Sequence, residues 1–137
     1  MTRVLVFGSF DPLHEGHINF FEQARVLGDH LTVVVAHDEA LSSHKGRDPH
    51  APVEERMAAV AESGLADEVL IGSTQAGDYT LLAELNFDVI ALGYDQEPAD
   101  EAVREELDKR GKEQVRIVRL KPYRSDVYKS SRIRGDV

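Results

Sequence analysis

The fold is decided by one stretch near the start of the chain, residues 3–17, which read RVLVFGSFDPLHEGH. Its first part, Arg3 to Phe7, is a β-branched and apolar run that ends at Gly8, which is the pattern of a buried strand. The second part carries His14 and His17, at the beginning of a segment whose apolar residues recur at helical spacing. A strand, a glycine turn and a helix in this order predict a protein in which parallel strands alternate with helices.

The rest of the chain continues this alternation. The predicted strands span 3–7, 31–36, 68–71, 89–92 and 116–120, and the predicted helices span 16–27, 53–63, 78–85 and 99–110. Continuous apolar runs such as LTVVVA are typical of strands that are buried on both faces. We therefore expect an α/β protein with one domain over residues 1–137: a Rossmann-like, doubly wound, five-stranded parallel sheet with helices on both faces.

In such sheets, ligands bind at the carboxyl ends of the strands, near the point where the strand order reverses. This rule selects three segments before any motif is considered, namely residues 8–17, 36–52 and 93–96. The second segment contains a predicted loop from Asp38 to Pro52, and loops longer than about 12 residues in compact domains are usually functional or disordered. We expect the ligand site where these three segments meet.

The composition excludes several classes of function. The formal net charge is −9, from 25 acidic against 16 basic residues, and this surface charge opposes the binding of nucleic acid. No apolar run approaches the roughly 18 residues of a membrane span, and the N-terminus lacks a secretory signal pattern. The chain has no cysteine, so disulfides and thiolate chemistry are excluded. We expect a cytoplasmic protein that binds small molecules, with no nucleic acid and no membrane among its partners.

His14 and His17 lie three residues apart at the start of a predicted helix, with Gly16 between them. This spacing brings both imidazoles close to the helix N-terminus, where backbone N–H groups and the positive end of the helix dipole lie. Two such N–H donors suit the charge that builds up on a phosphate during in-line displacement. Gly8 permits a tight turn and close approach of a ligand to the backbone. The spacing leaves open an alternative in which Asp11, His14 and His17 bind a metal, as in hydrolases.

The segment GSFDPLHEGH, residues 8–17, resembles the signature of the cytidylyltransferase-like nucleotidyltransferases, whose core is His-x-Gly-His. The resemblance extends over nearly the whole chain. KGR at 45–47 is similar to a segment of the small cytidylyltransferases and the archaeal FAD synthases, and EER at 54–56 matches the acidic start of their next helix. ALGYDQ at 91–96 resembles the nucleotide-binding turn of the archaeal FAD synthases, and SSRIR at 130–134 resembles an element that meets the nucleotide phosphates.

This resemblance implies a role for each matching residue. His14 and His17 would hold the α-phosphate and stabilise its transition state without a covalent intermediate, and Lys45 would cover the β- and γ-phosphates. The implied nucleotide contacts are Gly8, Ser9, Phe10, Asp11, Glu15, Gly16, Arg56, Gly93, Tyr94, Asp95, Tyr123, Ser130 and Ser131. The resemblance also implies Mg²⁺ held mainly through the nucleotide phosphates, no dedicated metal site on the protein, and a homodimer.

Simpler structural roles remain open for several of these residues. Lys45 could be an exposed loop lysine, and Arg56 could be an ion-pair partner on the surface of its helix. Asp95 could be a turn residue and Tyr123 a packing residue. The two serines at 130–131 could cap a helix.

The activity that the resemblance favours is that of an FAD synthase (an FMN adenylyltransferase), which transfers AMP from ATP to FMN and releases pyrophosphate. Two alternatives remain open. One is a cytidylyltransferase that uses CTP and a small acceptor phosphate such as glycerol 3-phosphate, and the other is a nucleotide-binding module without catalysis. Archaeal FAD synthases typically carry cysteines near the C-terminus, whereas this chain has RSDV at 124–127, a departure that bears on FMN as the acceptor.

Overall fold

The structure is a computed structural model that describes residues 1–45, 48–75 and 77–123. Strands and helices alternate along these residues in the order β1 (Arg3–Gly8), α1 (Glu15–Val26), β2 (His30–Val35), α2 (Asp38–Lys45), α3 (Val53–Glu62), β3 (Glu68–Ile71), α4 (Leu81–Glu84), β4 (Val89–Leu92), α5 (Asp100–Lys109) and β5 (Arg116–Arg119). Among the helices described, none combines the length and the apolar character that crossing a bilayer requires.

All strand pairs are parallel, and the strand order in the sheet is β3-β2-β1-β4-β5. The chain builds one half of the sheet outward from β1 to β3, and then crosses to the other side of β1 to build β4 and β5. The order therefore reverses between β1 and β4, which is where doubly wound sheets bind their ligands. The predicted α/β class, the parallel sheet and the five strands within the described residues are confirmed.

Helices cover both faces of the sheet, and each face has its own apolar layer. Phe21 of α1 and Val60 of α3 belong to one layer, and Leu82 of α4 and Leu107 of α5 belong to the other. Residues 4–6 of β1 alternate between the two layers, as successive side chains of a strand must. The central strand is thus buried on both sides, in agreement with its continuous apolar sequence.

Strands β1 and β4 separate toward their carboxyl ends. β1 pairs with β2 as far as Gly8, but its register with β4 runs through Val4↔Val89 and Leu5↔Ile90, short of Leu92 at the end of β4. This separation opens a crevice at the point where the strand order reverses.

The predicted loop from Asp38 to Pro52 is wrong in its first half, because residues Asp38–Lys45 form helix α2. The helix is held at its start by Asp38, whose carboxylate accepts a hydrogen bond from the buried Arg56 at 2.6 Å. Leu41, which is 6% exposed, packs the helix onto the domain. The sequence carries one buried apolar residue in this helix, too few to produce a recognisable helical pattern.

The helix predicted over residues 78–85 is shorter than expected, since α4 spans only Leu81–Glu84. Asp78 lies in the turn before it, where its carboxylate accepts from Ser73 Oγ at 2.7 Å and from the Thr80 backbone N–H at 3.0 Å. These bonds commit Asp78 to the turn instead of the helix N-cap. The same bonds, that from Ser73 first, hold the pKa of the Asp78 carboxyl below its usual range.

Candidate active site

Helix α1 begins in a capping box that the two histidines form. His14 is the N-cap residue, and its Nδ1 accepts the backbone N–H of Gly16 at 3.0 Å. His17 reaches back in the same way, because its Nδ1 accepts the backbone N–H of His14 at 3.2 Å. Both imidazoles are therefore positioned by the backbone of the helix start.

These hydrogen bonds also select the tautomer of each imidazole. A ring nitrogen that accepts a hydrogen bond carries no proton, so the proton of each neutral ring lies on Nε2. The His14 and His17 rings are stacked, with their centroids 3.9 Å apart and an interplanar angle of 23°. The helix start thus carries two neighbouring Nε2–H donors at the positive end of the α1 dipole.

Phe10 lies against His17, and the rings of Phe10 and His14 explain the two glycines of the motif. Its side chain is 2% exposed, its backbone has φ +52, and its ring meets that of His17 edge-on with centroids 5.1 Å apart. A Cβ atom on Gly8 would lie 2.5 Å from the Phe10 ring, and one on Gly16 would lie 2.8 Å from His14 Cε1. Neither position tolerates a side chain without displacing a ring of the site.

A cavity of about 470 Å³ opens beside the histidines, at the carboxyl ends of β1 and β4. Sites for small-molecule ligands commonly have volumes of about 300–1,000 Å³. The predicted residues that line it are Gly8, Ser9, Phe10, His14, Gly16, His17, Gly93, Tyr94, Asp95 and Tyr123. The structure therefore brings the segment after β1 and the segment after β4 together, as the topological rule predicted.

Five further lining residues were missed by the sequence analysis: Phe7, Asn19, Phe20, Gln23 and Lys121. Gln96 also lines the cavity, and it lies within the predicted segment 93–96 although no individual role was assigned to it. Asn19 and Gln23 follow Gly16 at i+3 and i+7, and this helical spacing could have identified them. The Gln23 side chain accepts from the Lys121 backbone N–H at 3.0 Å and donates to the Lys121 carbonyl at 2.9 Å. Helix α1 thereby holds the segment that follows β5 at the rim of the cavity.

The side chain of Gln96 bridges β1 and β4 at the point where these strands have separated. Its side-chain oxygen accepts the backbone N–H of Gly93 at 3.0 Å, and its Nε2 donates to the carbonyl of Phe7 at 3.0 Å. Phe7 belongs to the end of β1, and Gly93 follows β4 directly. The amide of Gln96 therefore replaces the backbone pairing that the two strands no longer make.

Two predicted contacts, Asp11 and Glu15, do not line the cavity that the described residues form. The Asp11 carboxylate accepts the backbone N–H groups of His50 at 2.8 Å and Ala51 at 3.1 Å. Asp11 thus ties the motif to the segment before α3. Glu15 is exposed in the first turn of α1, where a carboxylate interacts favourably with the helix dipole.

Arg56 also lies outside the cavity. Its side chain is buried and does not lie on the exposed surface of α3. It is 2% exposed, and Nε, Nη1 and Nη2 of its guanidinium group each donate a hydrogen bond within the protein. The acceptors are the carbonyls of Ser9, Ala36 and Ala51 and the carboxylate of Asp38. Arg56 therefore supports the segments after β1 and β2 from beneath.

The remaining predicted residues lie outside what the structure describes: the side chain of Lys45, Ser130 and Ser131. Across residues 1–45, 48–75 and 77–123, no group of three or more histidine, aspartate or glutamate side chains is arranged to hold a metal ion. The Asp11 carboxylate is bound to the backbone N–H groups of His50 and Ala51, whereas the Nδ1 atoms of the two histidines are bound to backbone amides of the helix start.

The comparison with protein families shows the family of this chain. The family model described as Cytidylyltransferase-like matches residues 5–136. The chain belongs to the cytidylyltransferase-like family. This membership confirms the predicted resemblance, and it makes the chain a nucleotidyltransferase whose histidine pair, crevice and cavity lie within the matched region.

Individual relatives match this chain over nearly its whole length. A protein of Thermococcus onnurineus (strain NA1) named FAD synthase is 45% identical, and the match covers 96% of this chain and 87% of the relative. The FAD synthase of Thermococcus kodakarensis is 46% identical, with 96% and 88% covered. Among solved structures, the lipopolysaccharide core biosynthesis protein from Thermoplasma volcanium GSS1 is 35% identical with a TM-score of 0.81, covering 90% of this chain and 98% of that one.

Proposed function

We propose that this protein is an FAD synthase, which transfers AMP from ATP to the phosphate of FMN and releases pyrophosphate. The observation that carries the proposal is the pair of stacked imidazoles, His14 and His17, with their Nδ1 atoms bound to backbone amides beside a cavity of about 470 Å³. The choice of ATP and FMN is supported by the relatives named FAD synthase.

The reaction needs little covalent chemistry from the protein. An oxygen of the FMN phosphate attacks the α-phosphorus of ATP and forms a new P–O bond. The bond between the α-phosphorus and the oxygen that bridges to the β-phosphate breaks, and its electron pair leaves with pyrophosphate. His14 and His17 donate their Nε2–H groups to the α-phosphate oxygens as charge builds up on them.

The other lining residues would orient the nucleotide. Asp95 lies at the rim with an exposed carboxylate, which can accept hydrogen bonds from ribose hydroxyls. Tyr94 is 52% exposed beside it and offers an aromatic face to the base. Lys45 and the serines at 130–131 would contact the remaining phosphates, as the family resemblance implies.

A divalent cation, Mg²⁺, belongs to the proposed reaction. When bound, it would neutralise charge on the triphosphate. The described carboxylates and imidazoles do not converge on a common point, so its ligands would be mainly phosphate oxygens and water, which suits Mg²⁺.

The activity is tested by incubating the protein with ATP, FMN and MgCl₂. Pyrophosphate and FAD should form in equal amounts, with FAD followed by chromatography and fluorescence. The parallel incubation contains CTP and glycerol 3-phosphate. Pyrophosphate in that incubation alone would identify a cytidylyltransferase instead, and nucleotide binding without pyrophosphate from any acceptor would identify a module without catalysis.

We also infer that the protein acts in the cytoplasm as a homodimer, as the family resemblance implies. Sedimentation equilibrium at several protein concentrations should give twice the mass of the chain. A mass that equals one chain at every concentration would contradict the dimer.

A further inference from the structure

A second cavity, of about 150 Å³, lies between the other face of the sheet and helices α4 and α5. Its walls are mainly apolar, with Leu81 and Leu82 from α4, Leu92 from β4 and Val103 from α5. None of the contacts assigned to the nucleotide reaches these residues. A group that occupied this cavity would therefore be one other than the nucleotide.

The second cavity lies next to the cavity beside the histidines, at the point where β1 and β4 separate. Phe7 and Gln96 line both of them. On one side of Gln96 are the histidines of α1, and on the other side are the apolar residues of α4 and α5. The Gln96 amide is bonded to Phe7 and Gly93 at this point, so a ligand that reaches both cavities would run along Gln96 with its polar middle beside that amide.

Three carboxylates stand at the polar margin of the second cavity, on Asp78, Glu97 and Glu106, and the Glu106 carboxylate is paired with Arg110 at 2.7 Å. The Ser73 hydroxyl lowers the pKa of the Asp78 carboxyl, and the Arg110 guanidinium lowers the pKa of the Glu106 carboxyl. Both groups are thus ionised at neutral pH. Carboxylates repel a phosphate but accept hydrogen bonds from N–H and O–H groups.

We propose that the second cavity holds the apolar end of the acceptor's aromatic ring, while the acceptor phosphate extends along Gln96 to His14 and His17. An apolar cavity of about 150 Å³ has the size that admits a benzene molecule, so it suits the dimethylbenzene end of a flavin ring. The single N–H of the ring's polar edge and the hydroxyls of its side chain can donate to the carboxylates. The inference rests on the proposed function, because it takes FMN as the acceptor.

The ring site is tested by filling the second cavity without touching the first. Leu81 is half-buried on α4 and lines only the second cavity, so Leu81→Trp places an indole in the space assigned to the ring. Leu85→Trp is the matched control, since Leu85 is equally half-buried on the same segment and lines neither cavity. The probe is riboflavin, which has the ring but no phosphate, and its binding is read by quenching of its fluorescence.

The wild-type protein and the control should bind riboflavin alike, and Leu81→Trp should weaken this binding on the order of tenfold or more, because the ring loses its buried apolar surface. The Kd for ATP should be the same in all three proteins, which also shows that the variants are folded. Equal riboflavin affinity in Leu81→Trp and the control, or no riboflavin binding by the wild-type protein, would overturn the inference. The proposed function is judged separately, by pyrophosphate release from ATP and FMN in the wild-type protein.

Discussion

At the scale of single residues, each histidine of the motif uses its two ring nitrogens for different purposes. Nδ1 accepts a backbone N–H and completes the capping box, while Nε2 carries the proton that faces a phosphate in the proposed reaction. Asparagine places an oxygen close to the position of Nδ1 and is itself a favoured N-cap residue. The structural and chemical parts of His14 can therefore be separated by one substitution.

His14→Asn should keep the stability of the fold and lose the activity. The asparagine oxygen can still accept the Gly16 N–H, so the thermal unfolding midpoint should stay close to that of the wild-type protein. The loss of one donor to the transition state should lower kcat on the order of 10²- to 10³-fold. Both quantities are measured on the same preparation, by calorimetry and by pyrophosphate release.

The comparison variant is His14→Ala, which lacks the cap as well as the donor. It should lose about 1 kcal/mol of stability in addition to the activity. A fully active His14→Asn enzyme would show that the ring contributes only the cap.

His17→Ala should lower turnover to a similar extent, since its Nε2–H is the second donor of the pair.

The chemistry-bearing residues next to the first strand could be predicted because they are local. A glycine turn, two histidines at i and i+3, and a helix start all lie within residues 8–17, and local geometry fixes their relative positions. Gln96 and Arg56 could not be assigned in this way. Their partners lie far away along the chain, on Phe7 for Gln96 and on Ser9 and Ala36 for Arg56.

At the scale of elements, Arg56 connects the start of α3 to the segments that follow β1 and β2. Its buried guanidinium donates to the carbonyls of Ser9, Ala36 and Ala51. A buried acceptor that loses its donor costs about 1–3 kcal/mol. The position of the segment between β1 and α1 therefore depends on a residue that does not line the cavity.

Arg56→Met should lower the free energy of unfolding by about 3 kcal/mol or more, because several buried acceptors lose their donor at once. The measurement is the urea midpoint together with its slope. Arg116→Met is the matched control, since Arg116 is exposed on β5 and its replacement should cost less than about 0.5 kcal/mol. Equal midpoints for the two variants would contradict the supporting role of Arg56.

A pH-dependent contact holds the start of β2. The Asp67 carboxylate accepts the Leu31 backbone N–H at 2.8 Å and pairs with Arg25 of α1 at 3.0 Å. The Leu31 bond, followed by the Arg25 contacts, lowers the pKa of the Asp67 carboxyl below its ordinary value of 3.8. A carboxyl with a lowered pKa in the folded state adds stability above its ordinary pKa, and this contribution is lost as the pH falls through the folded-state pKa.

Asp67→Asn should therefore be less stable than the wild-type protein at pH 7, and the difference should shrink as the pH falls below about 4. Urea unfolding at a series of pH values between 3 and 7 measures this difference. Glu62→Gln supplies the control for an exposed acidic residue of α3. A difference that is constant over the whole series would mean that the charge of Asp67 does not stabilise β2.

The elements that the sequence predicted poorly are those whose start depends on tertiary contacts. Helix α2 begins at Asp38, which is held by Arg56 from a later helix, and α4 begins late because Asp78 is bound in a turn by Ser73. The strands were predicted to within one or two residues, since a continuous apolar run needs no particular partner to be recognised.

At the scale of the whole molecule, alternation of strands and helices predicted the parallel sheet, but the order of the strands depends on long-range pairing. The observed order places β1 between β2 and β4 and puts the loops that follow β1 and β4 side by side. The same order divides the domain into two halves. They meet at the β1–β4 pair, whose register stops before the carboxyl ends of the strands.

The β1–β4 pair between the two halves, called the seam below, should be the part of the fold whose opening is opposed most strongly by bound nucleotide. The Asp88 N–H donates across it to the Arg3 carbonyl at 2.8 Å, and the Gly93 N–H donates to the Gln96 bridge at 3.0 Å. A nucleotide that contacts residues after both strands must leave before the seam opens. Opening then costs additional free energy, which grows with the concentration of the ligand.

Hydrogen exchange of single amides measures this coupling. With ATP at about 100 times its Kd, opening should cost about 2.7 kcal/mol more, so the Asp88 and Gly93 amides should exchange roughly 100-fold more slowly. The Lys112 amide, which donates to the Leu107 carbonyl at 2.9 Å after the end of α5, is the control, because it can exchange by local fraying without opening the seam. Seam amides that are unaffected by ATP would show that the nucleotide does not span the two halves. Equal slowing at Lys112 would show that exchange follows global unfolding, with no special role for the β1–β4 pair.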